Sequence, residues 1–325
     1  MKIKIEKHAF PYKKPFVITG HTFITSKTIR VILEEDGYIG RGEALGIGSN
    51  GDTDETMMAQ LQQFLIHTKG IVTNELIQKL LPLGGARNAL DCALWDLTAK
   101  KAGKSIWQLL SIEPKRLATV ATIGIRTPKK MAIEARELSK YNNLKIKLSG
   151  NEPIAALEAV RTARPDATLI VDVNQGWSFS ELKEYLPQAQ KLGIQMIEQP
   201  LPRGADEDLE GFKSIVPLGV DESCRDSTEY EISARRYDII NIKLDKCGGL
   251  TDALRIIDFA NKDGKKLMIG NMCGSSLSMA PSYVVGQFCK YIDIDGPLFL
   301  KNDIKHGLDF MNGGFVSKPK KKLWG

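Results

Sequence analysis

The sequence is poor in several things at once. No apolar run approaches the roughly 20 residues that a bilayer-spanning helix needs, so neither an integral membrane protein nor a membrane partner is expected. The first eight residues, Met1-Lys2-Ile3-Lys4-Ile5-Glu6-Lys7-His8, alternate charged and apolar side chains instead of forming the unbroken apolar stretch of a secretory signal. Cysteine is scarce. Cys92, Cys224, Cys247, Cys273 and Cys289 are odd in number, scattered and never spaced as CxxC. That speaks against a disulfide frame or a zinc site and for reduced thiols in the cytoplasm. With 14 Pro and 29 Gly in 325 residues, 42% apolar and 26% charged, a disordered or collagen-like chain is excluded. A broad basic surface is missing too. The formal charge is +6, but Lys318, Lys320, Lys321 and Lys322 carry four of those charges in a short tail. No nucleic-acid partner is expected from basicity so localised.

What is present falls into two patterns. The first hundred residues read as α+β. Strand-like runs at Lys2–Ala9 and Thr28–Glu34 precede the hairpin turn Asp36-Gly37, and Tyr38–Ala44 returns as a third strand. Helical spacing follows over Thr56–Ile66 and, more clearly, over Ala86–Lys100, where Ala89, Leu90, Ala93, Leu94 and Leu97 share a face. From about Thr119 short apolar runs alternate with amphipathic segments. The runs are Val120–Ile125, Leu144–Leu148, Leu169–Val173, Gln195–Glu198, Gly219–Asp221, Ile239–Lys243, Leu267–Gly270 and Tyr291–Asp293. From the second onward they end at Lys147, Asp172, Glu198, Asp221, Lys243, Gly270 and Asp293, 22 to 27 residues apart. A βα unit needs about that length, and eight in series predict a (β/α)₈ barrel. The expected division is a capping α+β domain over 1–112, a barrel over 113–300 and a segment 301–325 that returns to the first domain.

Charged residues are costly inside a barrel strand, which is buried on both faces. Here they cluster at C-terminal strand ends, the rim where this architecture builds its active sites. Asp172, Glu198 and Asp221 come from consecutive units and would converge. Two carboxylates about 4 Å apart repel by roughly 4 kcal/mol at an effective dielectric of 20. Three together call for a cation, and all-oxygen ligation fits Mg²⁺, with Mn²⁺ also compatible. The plain alternative is that each carboxylate caps the helix after it. Lys145 and Lys147 alternate onto one side of the second strand. Lys243 ends the sixth, across an eight-strand ring. Crowding with a dication and one another should lower the lysine pKa values and fit them as general bases. A lysine on each face of an enediolate stabilised by the metal could remove a proton on one side and return it on the other.

These residues resemble the muconate-lactonising subgroup of the enolase superfamily, whose pairing of metal with a Lys or His base is a known pattern. The match runs through the KxK pair, the Asp, Glu and Asp on three strands, and Asn241-Ile242-Lys243-Leu244-Asp245-Lys246-Cys247-Gly248-Gly249-Leu250. It also takes in Ala86-Arg87-Asn88-Ala89-Leu90-Asp91-Cys92-Ala93-Leu94-Trp95-Asp96 and covers essentially the whole chain. Within the subgroup the chain is most similar to dipeptide epimerases, through Asp293-Ile294-Asp295-Gly296 on the eighth strand. The resemblance implies that Asp293 and Asp295 hold the dipeptide's α-ammonium group; the alternative is a turn ahead of Gly296-Pro297. It further implies Lys147 and Lys243 as the acid/base pair, Lys145 on the substrate carboxylate and Thr122 against the substrate. Relatives acting on Ala-Glu carry arginine in the first capping loop. Here that loop, Thr19-Gly20-His21-Thr22-Phe23-Ile24-Thr25, has none, and Phe23 and Ile24 point to a less polar subsite. The second loop, Gly48–Asp54, adds two acids. At Asn271-Met272-Cys273-Gly274 the Glu that many relatives have is absent, which should reshape the pocket and leave the metal site intact.

Gly46-Ile47-Gly48-Ser49-Asn50-Gly51 matches GxGxxG, but polar Arg41-Gly42-Glu43 precedes it and no acid lies between Glu55 and Glu75, so a loop that closes over substrate is the better reading. A synthase of the o-succinylbenzoate type or a muconate cycloisomerase shares the lysines and metal ligands without needing an ammonium partner. A non-catalytic barrel that binds a metal or small ligand is a further alternative, and the subgroup's habits allow a homo-oligomer.

Overall fold

A computed structural model of the chain describes residues 1–48 and 51–325. The chain opens with three antiparallel strands, β1 (Lys2–Ile18), β2 (His21–Glu35) and β3 (Tyr38–Leu45), in the order β1-β2-β3. Helices α1 (Asp54–His67), α2 (Asn74–Leu80) and α3 (Gly85–Lys101) follow. Ala86, Ala89, Leu90, Ala93 and Leu97 of α3 lie on one face and pack against Ile29, Val31 and Leu33 of β2. That is the helical periodicity anticipated over Ala86–Lys100 meeting the strand periodicity of its partner.

β1 and β2 run much further than the sequence runs Lys2–Ala9 and Thr28–Glu34. The stretch expected as a first capping loop is instead the tip of a hairpin: Ile18 pairs with His21 and Phe16 with Phe23, around a two-residue Thr19-Gly20 turn. Gly20 has φ +77°, the left-handed backbone such a turn favours. The register shifts between Pro11 and Phe16, where two prolines interrupt the alternation that marks a strand. The Gly48–Asp54 reading and the GxGxxG motif fall partly on Ser49 and Asn50, outside the described residues. That motif follows an antiparallel strand and not the buried parallel one a dinucleotide site uses.

After β4 (Leu117–Ala118), eight strands form one parallel sheet: β5 (Ala121–Ile123), β6 (Asn143–Lys147), β7 (Thr168–Asp172), β8 (Ile194–Glu198), β9 (Leu218–Val220), β10 (Ile239–Ile242), β11 (Lys266–Ile269) and β12 (Tyr291–Ile292). Their order in the sheet is their order in the chain. Val120 N donates to Ile292 O at 2.8 Å and brings the two ends together as a (β/α)₈-type barrel. Each strand agrees with a sequence run to within about two residues at either end. Strand β13 (Phe315–Val316) returns to pair with β4. Beyond it, the Trp324 indole donates to Cys92 O at 3.0 Å and Gly325 N to Asp96 at 2.7 Å, both on α3. Among the described residues no helix is long and apolar enough to cross a membrane.

The barrel interior is layered. Val120, Ile170, Met196, Ile239, Met268 and Tyr291 form one apolar cluster. The residue two positions on from each, which strand alternation sends to the same side, is Thr122, Asp172, Glu198, Asn241, Gly270 or Asp293. An apolar floor thus carries a polar layer directly above it, facing the C-terminal mouth.

Candidate active site

Register lines up the first chemical row. Lys147 pairs with Asp172 and Asp172 with Glu198 across β6, β7 and β8. Asp221 sits one residue past β9 and Lys243 one residue past β10, and both are buried. Thr122 pairs with Lys145 across β5 and β6. β6 and β10 have three strands between them, so their ends face each other across the mouth. All nine side chains singled out from the sequence therefore belong to one polar layer and its rim.

Lys145 lies at its centre. Its ammonium is 3.0 Å from Asp172, 2.7 Å from Glu198 and 2.9 Å from Asp293. Lys147 donates to Asp172 Oδ2 at 2.5 Å and to Asn174 Oδ1 at 2.9 Å. Lys243 donates to Asp221 Oδ2 at 2.6 Å. Gly270 makes room for Lys243: a Cβ there would meet Lys243 Cε at 2.9 Å and Asn241 Oδ1 at 2.7 Å.

The electrostatics run opposite to the expectation for the lysines. Burial disfavours their charged forms, but the carboxylates touching them prevail and hold Lys145 and Lys243 above the usual lysine range. Burial likewise opposes ionisation of Asp172, yet Lys145 and Lys147 bring it down to about 2. Asp221 is held low by Lys243 and Lys246 against the same burial. Glu198 goes the other way, to about 7, because burial and the neighbouring Asp172 outweigh its cations. Cation crowding alone would lower these two values; the carboxylates set against Lys145 and Lys243 outweigh it and reverse the sign.

Among the described residues, no three His, Cys, Asp or Glu side chains are drawn around a single point as a finished metal cage would require; ammonium groups lie between the carboxylates. The donor set nonetheless fits a hard divalent cation. Asp172, Glu198 and Asp221 supply only oxygen from neighbouring strand ends. Glu198 Oε2 and Asp221 Oδ1 are buried and accept no directed hydrogen bond, only ion contacts with lysine at 2.7 and 2.8 Å.

Asp293 and Asp295 are both buried beside this row. Asn271 Nδ2 donates to Asp293 Oδ1 at 2.9 Å and to Asp295 Oδ1 at 3.3 Å. Asp295 Oδ2 accepts from Thr122 N at 2.8 Å. Burial and Asp293 push Asp295 up to about 8. Asn271 thus ties the two aspartates together. The hairpin tip docks on the same mouth: Thr19 Oγ1 lies 3.2 Å from Leu148 O and 3.4 Å from Val173 O. Beyond the turn, Phe23 and Ile24 are 39% and 66% exposed.

Sequence reasoning missed several residues. Asn241 donates to Glu198 Oε1 at 2.7 Å, and its place between Ile239 and Lys243 in the alternation was a usable signal. Asn174, at φ +46°, places its side chain between Lys147 and Glu222. Glu222 is raised to about 7 by burial and by Asp221. Gln199 Oε1 accepts from the backbone N–H of Asp221 at 2.9 Å and of Ser223 at 3.1 Å. Lys246 contacts Asp221 at 2.8 Å. The last four depend on loop geometry that carries no period.

Known proteins resemble this chain over nearly its whole length. Residues 1–111 match the N-terminal domain model of the mandelate racemase / muconate lactonizing enzymes, and residues 130–321 match the enolase C-terminal domain-like model. The chain is 38% identical to the L-Ala-D/L-Glu epimerase of Escherichia coli strain K12, over 96% of this chain and 98% of that one. An enolase family member from Agrobacterium tumefaciens, solved with sodium and L-Ala-L-Glu, superposes with a TM-score of 0.95 at 36% identity over 99% of both chains. The dipeptide epimerase of Cytophaga hutchinsonii, complexed with Mg and D-Ala-L-Val, gives 0.91 at 27% identity over 98% of this chain and 92% of that one.

Proposed function

From the premise that the chain belongs to the mandelate racemase / muconate lactonizing enzyme family of the enolase superfamily, we propose that it is a dipeptide epimerase, an isomerase that inverts the α-carbon of the C-terminal residue. The observation that carries this is the placement of Lys147 and Lys243 at opposed strand ends with Asp172, Glu198 and Asp221 between them. Those three carboxylates would hold Mg²⁺, which supplies charge stabilisation for a substrate carboxylate as its α-proton leaves. The rest is work for the chain's own side chains. Lys145 turns its ammonium from Asp293 and Glu198 to the substrate carboxylate. Lys147 or Lys243 takes the α-proton on one face and the other returns one on the opposite face. Asp293 exchanges its lysine partner for the dipeptide's ammonium, and Thr122 N–H keeps Asp295 in place. Residues 1–112 serve as the cap, 113–300 as the catalytic barrel and 301–325 as the tie between them.

The side chain at the inverted carbon is uncharged in this reading. The hairpin tip that overhangs the mouth offers Phe23 and Ile24, and Arg126, which reaches the hairpin through Pro15 O, is already paired with Glu134 at 3.4 Å. Five free thiols fit a reducing cytoplasm. The test is a panel of L,L-dipeptides with apolar, acidic or basic C-terminal residues, each incubated with enzyme and Mg²⁺ and resolved by chiral chromatography. The expected product is the L,D epimer, formed fastest from apolar members. No epimer from any member removes the proposal, and a preference for acidic members removes its side-chain part.

A further inference from the structure

Asp293 and Asp295 are held side by side by a group that carries no charge. Asn271, half-buried two residues past β11, donates through Nδ2 to Asp293 O at 3.0 Å, to Asp293 Oδ1 at 2.9 Å and to Asp295 Oδ1 at 3.3 Å. Its Oδ1 accepts from Cys273 N at 2.6 Å. Only the carbonyl end of an amide can accept, so this bond turns the NH₂ group toward the aspartates. Cys273 adopts φ +61° to bring its N–H back, a conformation few non-glycine residues take. Gly296 leaves room for the contact: a Cβ there would meet both Asn271 Oδ1 and Gly274 O at 2.9 Å. On their other oxygens, Asp295 Oδ2 accepts from Thr122 N at 2.8 Å and Asp293 Oδ2 from Lys145 at 2.9 Å.

We infer that Asn271 is a positioning residue: it sets Asp293 and Asp295 together and so selects substrates with a free α-ammonium over N-acyl amino acids that lack one. The inference rests on the dipeptide reading above. Two neighbouring carboxylates repel. A lysine between them would relieve the repulsion but would also occupy the place a substrate ammonium takes. An amide draws them together and leaves their charge for the substrate. Asn271 bonds to Asp293, Asp295 and Cys273 and not to Asp172, Glu198 or Asp221, so its removal bears on substrate choice before it bears on proton transfer. A residue that merely supported the fold would affect every substrate alike.

The experiment compares L-Ala-L-Leu with N-propionyl-L-leucine, the same molecule with hydrogen in place of the ammonium, and measures kcat and KM for both with Mg²⁺ present. The two share one carboxylate and one invertible carbon, so the Mg²⁺ site, and any disturbance of it, weighs on both alike. Wild type is expected to favour the dipeptide at least about tenfold in kcat/KM, the worth of one charge-assisted hydrogen bond. Equal rates on both, or turnover of neither, would remove the ammonium reading itself, whatever Asn271 does. Asn271→Ala is expected to cut that preference at least about fivefold, chiefly by raising KM for the dipeptide. Asn271→Ser keeps an acceptor for Cys273 N, but its one hydroxyl can donate to only one carboxylate. It should shift the preference in the same direction, so an Ala variant that does not fold leaves the question answerable. Rates lowered in equal proportion on both substrates, or an unchanged preference in every variant that folds, overturns the inference.

Discussion

A lysine that abstracts a carbon-bound proton must first be neutral, yet Lys243 rests 2.6 Å from a carboxylate that favours its charged form. In the proposed mechanism the ion pairs of Lys145, Lys147 and Lys243 are resting contacts that substrate exchanges. Asp293 shows the consequence. It is paired with Lys145 at 2.9 Å, and a substrate ammonium would replace one cation with another. Asp293→Asn is expected to raise KM for dipeptides by about tenfold or more, a loss in the range of one charge-assisted hydrogen bond. Steady-state kinetics checks this. An unchanged KM would favour a substrate without an ammonium, as in the synthase or cycloisomerase alternative. At this scale legibility followed periodicity. Lys147, Asp172 and Glu198 occupy alternate positions whose side was readable from sequence, and Asn241 was readable in the same way. Lys246 was not, since only the short helix Leu244–Cys247 carries it back to the Asp221 loop.

Among the elements, the strands of the barrel were legible because each is a continuous apolar run bounded by polar residues. The hairpin was not, because Pro11 and Pro15 break the alternation and only the paired register shows that the strand resumes at Phe16. What an element excludes matters as much as what it presents. β11 ends beside Gly270, where Lys243 passes too close for any side chain. Gly270→Ala should displace Lys243 at a cost of about 1–3 kcal/mol in overpacking. The measurable outcome is a fall in kcat well beyond any change in KM, with Tm reduced by several degrees. Wild-type kcat in this variant would show that Lys243 does not need the space.

Across the whole molecule, cap and barrel are joined by buried acids. Asp245 on the barrel accepts from Leu45 N at 3.0 Å and Asn88 Nδ2 at 2.9 Å on the cap; Asp91 of the cap accepts from Thr251 N at 3.0 Å; Glu43 of the cap accepts from Ser275 N at 3.2 Å. Burial raises Asp245 to about 7 and Asp91 to about 6. Both lie above the ordinary value near 4. The folded protein therefore binds more protons than the unfolded chain in that interval, and these two groups make stability fall as pH rises from about 4 to about 7. Asp245→Asn keeps an acceptor and removes the charge, so melts should show it gaining on wild type between pH 5 and pH 8. A variant that loses ground as pH rises would contradict the assignment. None of this joint was legible in the sequence, where Asp91 and Asp245 look like ordinary helix residues; it exists only once α3 is laid against the Lys243 loop.

The reaction itself is open to one direct reading. An L,L-dipeptide with an apolar C-terminal residue is incubated with enzyme and Mg²⁺ in D₂O, and the α-carbons are followed by NMR and mass spectrometry. Two opposed lysines require the inverted product to carry one solvent deuterium, at the C-terminal α-carbon alone. Inversion without deuterium, deuterium at the N-terminal residue, or no exchange with metal present would contradict proton transfer between Lys147 and Lys243.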